Sequence, residues 1–376
     1  EYTFLTRNNK NINEAHYIIG VYDNGKLGNL DKDTIDKSVE IFKNVLDSIN
    51  VEIYLEEHYD INNSHIYYAI IRTKSVDINI QEYNILFCGE ETTGKTTMIG
   101  NLCYGVNDNG AGLSRNFVFK HPHEKLSGTT TSVTKEIIGI NSDSFVNYSE
   151  YHNWDDIVKN SDKILNIFDI PGSIQYIKTL LYSLRTFNSD MIIICYRDKT
   201  DYTQFLENYC KLFDIKYIYV NYFNKIEDNL KYIRFELLNI TIKKIATYKI
   251  NNLFRITDIY NVPDRDKIVG GIQVTGKLNK YDTVKLIANN KEVLIKINTI
   301  FKKNINSTQI QYNETGSISF KITDNIKLTK HMFIVPENIE LEYKTKIEAL
   351  PINKYINYQD GQYILFNGNC QISVYV

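Results

Sequence analysis

Cysteine and proline are scarce in this chain, which has five residues of each among 376. Most of the cysteines lie in apolar stretches such as "ILFCG" and "MIIICY", where cysteine acts as a small hydrophobic residue. Their odd number, their wide spacing and the lack of a C-x-x-C pair predict neither a disulfide framework nor a zinc site, and favour a reducing compartment. The five are Cys88, Cys103, Cys195, Cys210 and Cys370.

Long apolar runs and a large net charge are also missing. No uninterrupted apolar run approaches the roughly 20 residues that span a bilayer, so we expect a soluble, cytoplasmic protein with no membrane partner. A formal net charge of −2 argues against a chain-wide basic surface. Any nucleic-acid contact is therefore expected to be local, and no DNA partner is expected. The sequence begins at Glu1 rather than at Met, which leaves open a trimmed N-terminus.

The periodicity of the apolar residues divides the chain into four segments. In residues 1–80 an amphipathic helix at Asp31–Asn50 lies between strands rich in Ile, Val and Tyr, which predicts a small α+β domain. In residues 81–252 short apolar runs alternate with helical segments, which predicts a mostly parallel sheet. Residues 253–338 form a series of short strands typical of a small β-barrel. Residues 339–376 match only the start of a second barrel, which we expect to be incomplete. The predicted fold class is multidomain, α/β plus all-β.

The strongest motif is "GEETTGKT", which fits G-x-x-x-x-G-K-[ST] between a strand and a helix. Its glycines let consecutive N–H groups face phosphates, Lys95 places a cation on the β- and γ-phosphates, and Thr96 supplies an oxygen to Mg²⁺. The motif therefore predicts a phosphate-binding loop. The nucleotide-binding residues on this interpretation are Gly89, Glu90, Glu91, Thr92, Thr93, Gly94, Lys95, Thr96 and Thr97.

A second motif, "DIPG", ends an apolar strand downstream of the phosphate loop. In this position Asp169 would hold Mg²⁺ through a water, and the Gly172 amide would face the γ-phosphate. Alone the pattern is weak, since any strand that exits into a turn can produce it. After a phosphate loop it predicts a sensor of the third phosphate.

A third motif, "NKIE", follows the apolar run "KYIYVNY". Guanine-nucleotide proteins have N-K-x-D here, in which the Asn braces the loop, the Lys stem lies along the base and the acid accepts both N–H groups of guanine. Asn224, Lys225 and Glu227 would take these roles, with an acid one methylene longer than usual. The alternative interpretation is an ordinary polar loop after a strand.

Several stretches around the phosphate loop together resemble a known family. The motifs are "DNGAGLSR" at Asp108–Arg115, "FKHPHE" at Phe119–Glu124 and "SGTTTS" at Ser127–Ser132, followed by "FDIPGSIQYIKT". They are similar to the elongation-factor-like translational GTPases called GTP-binding proteins one and two. The similarity extends to "YIIGVYDNGKLGNL" upstream and "IYNVPDRDKIVGGIQVTG" downstream, and fades after Glu227.

The resemblance implies a GTPase that binds GTP or GDP with Mg²⁺. It implies that Thr130 closes over Mg²⁺ and the γ-phosphate, joining Thr96 and Asp169 as metal ligands and Gly172 and Ser173 as catalytic residues. The family has a water-orienting His where this chain has Ser173, and its loop usually has an acid at Thr92. The family's fifth nucleotide loop cannot be placed. The sequence thus predicts that binding is retained and that hydrolysis is weakened.

Three functions remain open on these observations. The first is a translation-factor-like switch acting on the ribosome, tRNA or other RNA, and the second is a degenerate GTP- or GDP-binding scaffold. A metabolic P-loop kinase, the third, conflicts with the trailing β segments. A local excess of lysine in the barrel favours an RNA partner, although codon bias explains it equally well. These lysines are Lys267, Lys277, Lys280, Lys285, Lys291, Lys296, Lys302 and Lys303.

The overall composition adds an expectation about origin. The chain contains 29 Tyr and is rich in Asn, Ile and Lys, as AT-rich codon usage would produce. Together with the resemblance, this suggests a giant-virus homologue of the mimivirus type. His121 and His123 lack a third ligand in the sequence, so we interpret them as structural.

Overall fold

A computed structural model describes most of the chain, in two compact units. The units are Glu1–Asp77 with Asn304–Thr308, and Ile78–Lys303 with Gln309–Val376. The division into four domains at residues 80, 252 and 338 stays a prediction. Within these units the structure describes residues 14–49, 51–61, 64–74, 80–142, 144–240, 251–260, 266–288, 291–303, 305–322, 326–330 and 332–339, and the strands at 362–367 and 370–375.

The described residues form eight α-helices and twenty β-strands. The helices are α1 Lys32–Ser48, α2 Lys95–Tyr104, α3 Leu113–Val118, α4 Pro122–Ser127, α5 Trp154–Lys159, α6 Ile177–Thr186, α7 Asp201–Leu212 and α8 Ile226–Leu238. The strands are β1 Glu14–Ile19, β2 Val51–Ile61, β3 Ser64–Thr73, β4 Gln81–Gly89, β5 Thr134–Asn141, β6 Ser144–Val146, β7 Lys163–Asp169, β8 Met191–Tyr196, β9 Lys216–Asn221, β10 Leu253–Tyr260, β11 Lys267–Thr275, β12 Lys277–Asn279, β13 Thr283–Ala288, β14 Lys291–Lys302, β15 Ile305–Ser307, β16 Gln309–Gln311, β17 Thr315–Phe320, β18 Phe333–Pro336, β19 Gln362–Asn367 and β20 Cys370–Tyr375.

In the described residues of the first unit, helix α1 accompanies an antiparallel sheet in the order β1-β3-β2. The Asp31 side chain caps α1 by accepting a hydrogen bond from the backbone N–H of Thr34 at 2.8 Å. The apolar stripe of the helix, which includes Val39 and Phe42, packs with Tyr67 of β3. The helix predicted at Asp31–Asn50 is therefore confirmed, because its period of apolar residues matches the buried face.

The second unit begins with a six-stranded mixed sheet in the order β6-β5-β7-β4-β8-β9. Strands β7, β4, β8 and β9 pair in parallel, whereas β5 and β6 are antiparallel. One face of the sheet packs with α2 and α8, and the other packs with α6 and α7. The mostly parallel sheet predicted from the alternating apolar runs is confirmed, since strands buried on both faces need apolar side chains throughout.

The barrel follows from β10 onward. Its strands pair antiparallel in the order β13-β18-β10-β11-β17-β14, and β14 pairs back with β13 to close the ring. Phe254, Ile297 and Phe320 are fully buried inside it. The predicted barrel is confirmed, and closure leaves none of these six strands with an unpaired edge.

Buried polar contacts join this barrel to one face of the mixed sheet. Glu82 accepts hydrogen bonds from Lys303 Nζ at 2.8 Å and from the Thr315 backbone N–H at 3.2 Å. Lys135 Nζ donates to Thr315 Oγ1 at 2.8 Å. Burial alone would raise the pKa of Glu82, but Lys303 and Lys135 hold it below its usual range. The charges of Glu82 and Lys303 are thus paired, as charges away from water must be.

This contact corrects the expected strip of eight lysines. Lys303 pairs with Glu82, and Lys302 pairs with Glu314 at 3.0 Å, all four side chains being buried. The strip is therefore wrong at these two positions, because their charges are neutralised inside the protein. The sequence pattern does not show that these two lysines are buried. Lysine is rarely buried unless an acid pairs with it, and that pairing is visible only in the folded chain.

The end of the chain is described only in part. Strands β19 and β20 form an antiparallel hairpin in which Gln362 is opposite Tyr375. Residues 340–361 lie outside the described residues. The incomplete second barrel at 339–376 therefore stays a prediction.

Candidate functional site

The three sequence motifs meet at one edge of the mixed sheet. Strand β4 ends at Gly89 in the phosphate loop, the parallel strand β7 ends at Asp169, and β9 ends at Asn221 before "NKIE". The carboxyl ends of parallel strands lie at the same edge, which is where open α/β sheets bind ligands. Phe87 of β4 is opposite Asp169 of β7, so the phosphate loop and the sensor are neighbours.

The phosphate loop has the curled backbone that its glycines allow. Gly94 has a φ of 81° and precedes α2, a conformation that side chains rarely adopt. Lys95 is buried, and its Nζ donates to the carbonyl oxygens of Gly89 at 2.9 Å and Glu90 at 2.7 Å. The loop therefore places a buried cation at the amino end of a helix, where an anion is favoured.

Gly172 lies directly against the phosphate loop. A Cβ atom at this position would be 2.5 Å from the Gly89 carbonyl oxygen and 2.6 Å from Lys95 Nζ. Real Cβ atoms essentially never make contacts shorter than 3.0 Å, so the sensor approaches the loop this closely only as glycine. The phosphate loop and the "DIPG" motif are therefore in direct contact in the fold.

Three side-chain oxygens converge beside the loop. Thr96 Oγ1 donates to Asp169 Oδ2 at 2.6 Å, and Thr130 Oγ1 donates to the same oxygen at 3.1 Å. The two threonine hydroxyls are 2.8 Å apart. The residues predicted as Mg²⁺ ligands, which are separated by 34 and 39 residues along the chain, therefore form one cluster.

The register of β5 explains how Thr130 reaches this cluster. Strand β5 starts at Thr134, which is opposite Asp169 of β7 in an antiparallel pair. The loop that enters β5 must therefore pass beside the end of β7. Thr130 lies four residues before the strand, within reach of the Asp169 carboxylate.

The Asp169 carboxyl has an unused oxygen that suits a cation. Its Oδ1 is buried and has no hydrogen-bond partner among the described residues. Burial raises the pKa of Asp169 above its ordinary value, while Lys95 and the hydroxyls of Thr96 and Thr130 oppose that rise. A bound Mg²⁺, which prefers oxygen ligands, would satisfy Oδ1 and favour the ionised carboxylate. The side chains present fit this metal.

Ser173 follows Gly172 at the start of a short 3₁₀ turn at Ile174–Tyr176. It is half-buried, and its side chain makes no capping hydrogen bond to the turn. A serine at this position carries no positive charge and is shorter than an imidazole. The structure places Ser173 next to the sensor glycine, where the sequence predicts the water-orienting group.

The residues of "NKIE" lie on an exposed turn between β9 and α8. Asn224, Lys225 and Glu227 are all exposed, and Lys225 is the N-cap of α8. Asn229, which sequence reasoning missed, is buried and donates from Nδ2 to the Asn221 carbonyl at 2.8 Å. It accepts a longer hydrogen bond, 3.5 Å, from Asn224 Nδ2. Asn229 thus fixes the turn, whose three polar side chains face solvent.

Two further residues missed by the motifs contact the phosphate loop from the segment after β8. Arg197 donates from Nη2 to the Thr92 carbonyl at 3.2 Å, and its guanidinium stacks on Tyr222 at 4.1 Å. Thr200 Oγ1 donates to Glu90 Oε1 at 3.0 Å. Arg197 therefore joins the phosphate loop to the turn that carries "NKIE". No motif revealed this, because both contacts depend on β8 lying between β4 and β9.

The other predicted residues of the phosphate loop, and the two histidines of "HPHE", make the following contacts. Glu91 is exposed, and Thr93 Oγ1 donates to the Glu90 carbonyl at 2.8 Å. Thr97 accepts from Ser114 Oγ at 2.8 Å through its backbone carbonyl. His121 and His123 stack with ring centroids 5.3 Å apart. Among the described residues, no three His, Cys, Asp or Glu side chains are grouped as metal ligands.

The barrel has a small exposed surface made of lysine and tyrosine side chains. Tyr281 is 62% exposed, and the ammonium groups of Lys280 and Lys296 lie 5.1 Å and 5.8 Å from its ring centroid. Lys285, another member of the expected strip, pairs instead with Glu292 at 3.1 Å. The positive charge of the strip is thus reduced to a lysine–tyrosine–lysine cluster with single exposed lysines around it.

Comparison with known proteins agrees with this site. Residues 81–336 match the family described as Elongation factor Tu GTP binding domain. The chain belongs to this family. The matched range includes the mixed sheet, all three motifs and the barrel, and it ends before strands β19 and β20 of the second unit.

Individual relatives agree with the resemblance seen in the sequence. GTP-binding protein 2 of Homo sapiens is 30% identical over 187 residues, which are 48% of this chain and 31% of that protein. GTP-binding protein 1 of Xenopus laevis is 28% identical over 176 residues, 46% of this chain and 27% of that protein. The chain spans about a third of the length of the curated relatives it matches.

One solved structure shares the fold over most of the chain. Translation elongation factor SelB from Methanococcus maripaludis, in complex with a GTP analogue, aligns with a TM-score of 0.55 at 12% identity. The alignment covers 80% of this chain and 65% of that one. This confirms the predicted fold class of a GTPase domain followed by a β-barrel. In the described part of this chain, no helix is both long and apolar enough to cross a bilayer.

Proposed function

We propose that this chain is a guanine-nucleotide switch that binds GTP or GDP with Mg²⁺, distinguishes them by the third phosphate, and hydrolyses GTP slowly by itself. The observation that supports this most is the convergence of Thr96, Thr130 and Asp169, in which Asp169 Oδ1 has no hydrogen-bond partner from the described part of the chain. Thr96 follows the phosphate loop, Thr130 lies in the loop that enters β5, named the lid loop below, and Asp169 ends the sensor strand. Three oxygen ligands from these segments are what a metal-dependent phosphate sensor needs.

Each residue has a defined task in this proposal. Lys95 and the loop N–H groups bind the β- and γ-phosphates, and the Gly172 amide faces the γ-phosphate. When bound, Mg²⁺ supplies positive charge to the phosphate oxygens. Thr130 can complete this cluster only while its loop is closed, so loop closure would report the presence of the third phosphate.

Guanine selectivity is expected despite the longer acid at position 227. A carboxylate there accepts the two N–H groups of guanine, and charge-assisted hydrogen bonds contribute about 1.5–3 kcal/mol each. In a competition titration, GTP should bind at least about tenfold more tightly than ATP, since tenfold corresponds to about 1.4 kcal/mol. Glu227→Ala should remove most of this preference.

The matched control for that titration is Asp228→Ala. Asp228 is exposed in the same first turn of α8 and is not a member of the motif. It should leave the preference for GTP unchanged. Equal affinity of the unchanged protein for ATP and GTP would show that "NKIE" is only a polar loop.

Slow hydrolysis separates this switch from the second candidate, a GTP- or GDP-binding scaffold without significant activity. Ser173 cannot position the attacking water as an imidazole does, so turnover should need a partner that supplies the missing group. A scaffold would neither order the Thr130 loop with GTP nor respond to such a group. Substitution at Ser173 therefore distinguishes the two, as described below.

An RNA partner is the second part of the proposal, supported by the cluster of Lys280, Tyr281 and Lys296. An exposed ring flanked by ammonium groups suits a stacked base and its phosphates. Replacing both lysines by Glu should weaken binding to a single-stranded RNA oligonucleotide and reduce its salt dependence. Lys159→Glu, an exposed lysine of α5, is the control. Unchanged RNA binding in the double variant would exclude this surface.

The setting of this activity is also a proposal. Translation-factor relatives suggest a cytoplasmic role on the ribosome, tRNA or other RNA, in the host cytoplasm if the chain is viral. The giant-virus origin stays a prediction, because the relatives compared above come from animals.

A further inference from the structure

The lid loop is held by a carboxylate that no nucleotide motif includes. Glu124 lies in the short helix α4 and is completely buried. Its Oε1 accepts hydrogen bonds from the backbone N–H groups of Thr131 at 2.8 Å and Ser132 at 3.0 Å. The same oxygen accepts from the hydroxyls of Thr131 at 2.9 Å and Ser132 at 3.1 Å. One carboxylate oxygen therefore collects every donor of the two residues that follow Thr130.

The second carboxylate oxygen connects this contact to α4 itself. Glu124 Oε2 accepts from the backbone N–H of His121, the N-cap of the helix, at 3.3 Å. His123 Nε2 lies 2.8 Å from Thr131 Oγ1. Because that hydroxyl donates to Glu124, it must accept from His123, which therefore carries the proton on Nε2. The "HPHE" stretch thus fixes the loop through both an acid and an imidazole.

The hydrogen bonds keep the Glu124 side chain ionised. Burial alone would raise its pKa, but hydrogen bonds from Thr131, Ser132 and His121 outweigh burial and lower the pKa to about 2. Hydrogen bonds to an ionised acceptor are roughly twice as strong as neutral ones. The charge of Glu124 thus strengthens its hold on the loop.

We propose that Glu124 is a positioning residue, which holds Thr130 at the Mg²⁺ and γ-phosphate site by binding the next two residues. Thr130 is one peptide unit from Thr131, and its hydroxyl contacts Asp169 and Thr96. The contacts of Thr131 and Ser132 with Glu124 occur together with the contact of Thr130 with Asp169, so they stabilise the closed arrangement of the loop relative to an open one. The inference rests on the proposed switch, and it assigns the closed lid to an acid outside the nucleotide motifs.

The alternative is that Glu124 only caps α4, and variants can separate the two roles. Glu124→Gln keeps an oxygen that can cap His121, because Gln serves at this position of a capping box. It removes the negative charge of the side chain. It also places an amide N–H₂ group, which cannot accept hydrogen bonds, against the N–H and O–H donors of Thr131 and Ser132. Ser132→Ala removes one donor from the loop side and leaves the cap intact. Glu150→Gln, an exposed acid, is the matched control.

The first measurement compares the affinities for GDP and a non-hydrolysable GTP analogue in excess Mg²⁺. Glu124→Gln should lower affinity for the analogue about tenfold and change GDP affinity less than twofold, because only the analogue contacts the closed lid. Ser132→Ala should shift the same ratio by about two- to threefold. An equal loss for both nucleotides, or no loss, would show a merely structural role and overturn the inference.

The second measurement keeps this inference distinct from the proposed function. Amide hydrogen exchange at Thr131 and Ser132, in the protein without nucleotide, should be faster in Glu124→Gln than in Glu150→Gln. Unchanged exchange would overturn the inference even if the switch itself is correct. If residues 128–132 of the unchanged protein exchange equally in the GDP and analogue complexes, the switch fails, and faster exchange in Glu124→Gln would then show only that Glu124 holds the loop.

Discussion

Lys95→Ala should abolish nucleotide binding, with at least a hundredfold loss of affinity for both GTP and GDP. Lys95 Nζ is the buried cation of the phosphate loop, and it contacts the Gly89 and Glu90 carbonyl oxygens. A charge-assisted contact to a phosphate contributes about 1.5–3 kcal/mol, and Lys95 is expected to contact two phosphates. Fluorescence titration with labelled GTP and GDP measures this loss.

The control for Lys95→Ala is Lys159→Ala, which removes an exposed lysine on α5 of the same unit. It should bind both nucleotides as the unchanged protein does. Circular dichroism should show that Lys95→Ala remains folded. Retained affinity in folded Lys95→Ala would mean that the loop is not the phosphate site.

Ser173→His should increase the intrinsic rate of GTP hydrolysis by about 10²- to 10⁴-fold, the usual contribution of a positioned acid or base. Ser173 adjoins Gly172, which packs against the phosphate loop, so an imidazole there would be next to the γ-phosphate site. Affinity for GTP should change little, because Ser173 is outside the loop that binds the phosphates. Single-turnover assays with radiolabelled GTP measure the rate.

Ser173→Ala is the matched control for this experiment. It should hydrolyse GTP as slowly as the unchanged protein, because the serine hydroxyl at this catalytic position cannot orient the attacking water as an imidazole does. Turnover of several per second by the unchanged protein alone would refute the role given to Ser173. No acceleration in Ser173→His would favour the scaffold function.

Local patterns in the sequence were sufficient for the elements that position the site. The strand–loop–helix context of "GEETTGKT" predicts β4 and α2, and strict apolar runs predict β7, β8 and β9. These runs are informative because strands buried on both faces admit few polar residues. The alternation of short strands from residue 253 likewise predicts the barrel.

The sequence did not reveal contacts that depend on how distant segments meet. Glu124 lies in a six-residue helix, and its contacts with Thr131 and Ser132 exist only because the chain folds back after that helix. Lys303 looks like a surface lysine until Glu82 of β4 is placed beside it. The periodicity of side chains describes one helix or strand at a time. It therefore cannot predict which side chains of different elements contact each other.

Closure of the Thr130 loop in response to the third phosphate is the step on which the proposed switch depends. The most direct test is amide hydrogen exchange across residues 128–132 of the unchanged protein, with Mg²⁺ and either GDP or a non-hydrolysable GTP analogue. We predict that exchange slows markedly with the analogue and much less with GDP, because only the analogue supplies a γ-phosphate for Thr130, Asp169 and Mg²⁺ to enclose. Equal exchange in the two complexes would contradict the claim.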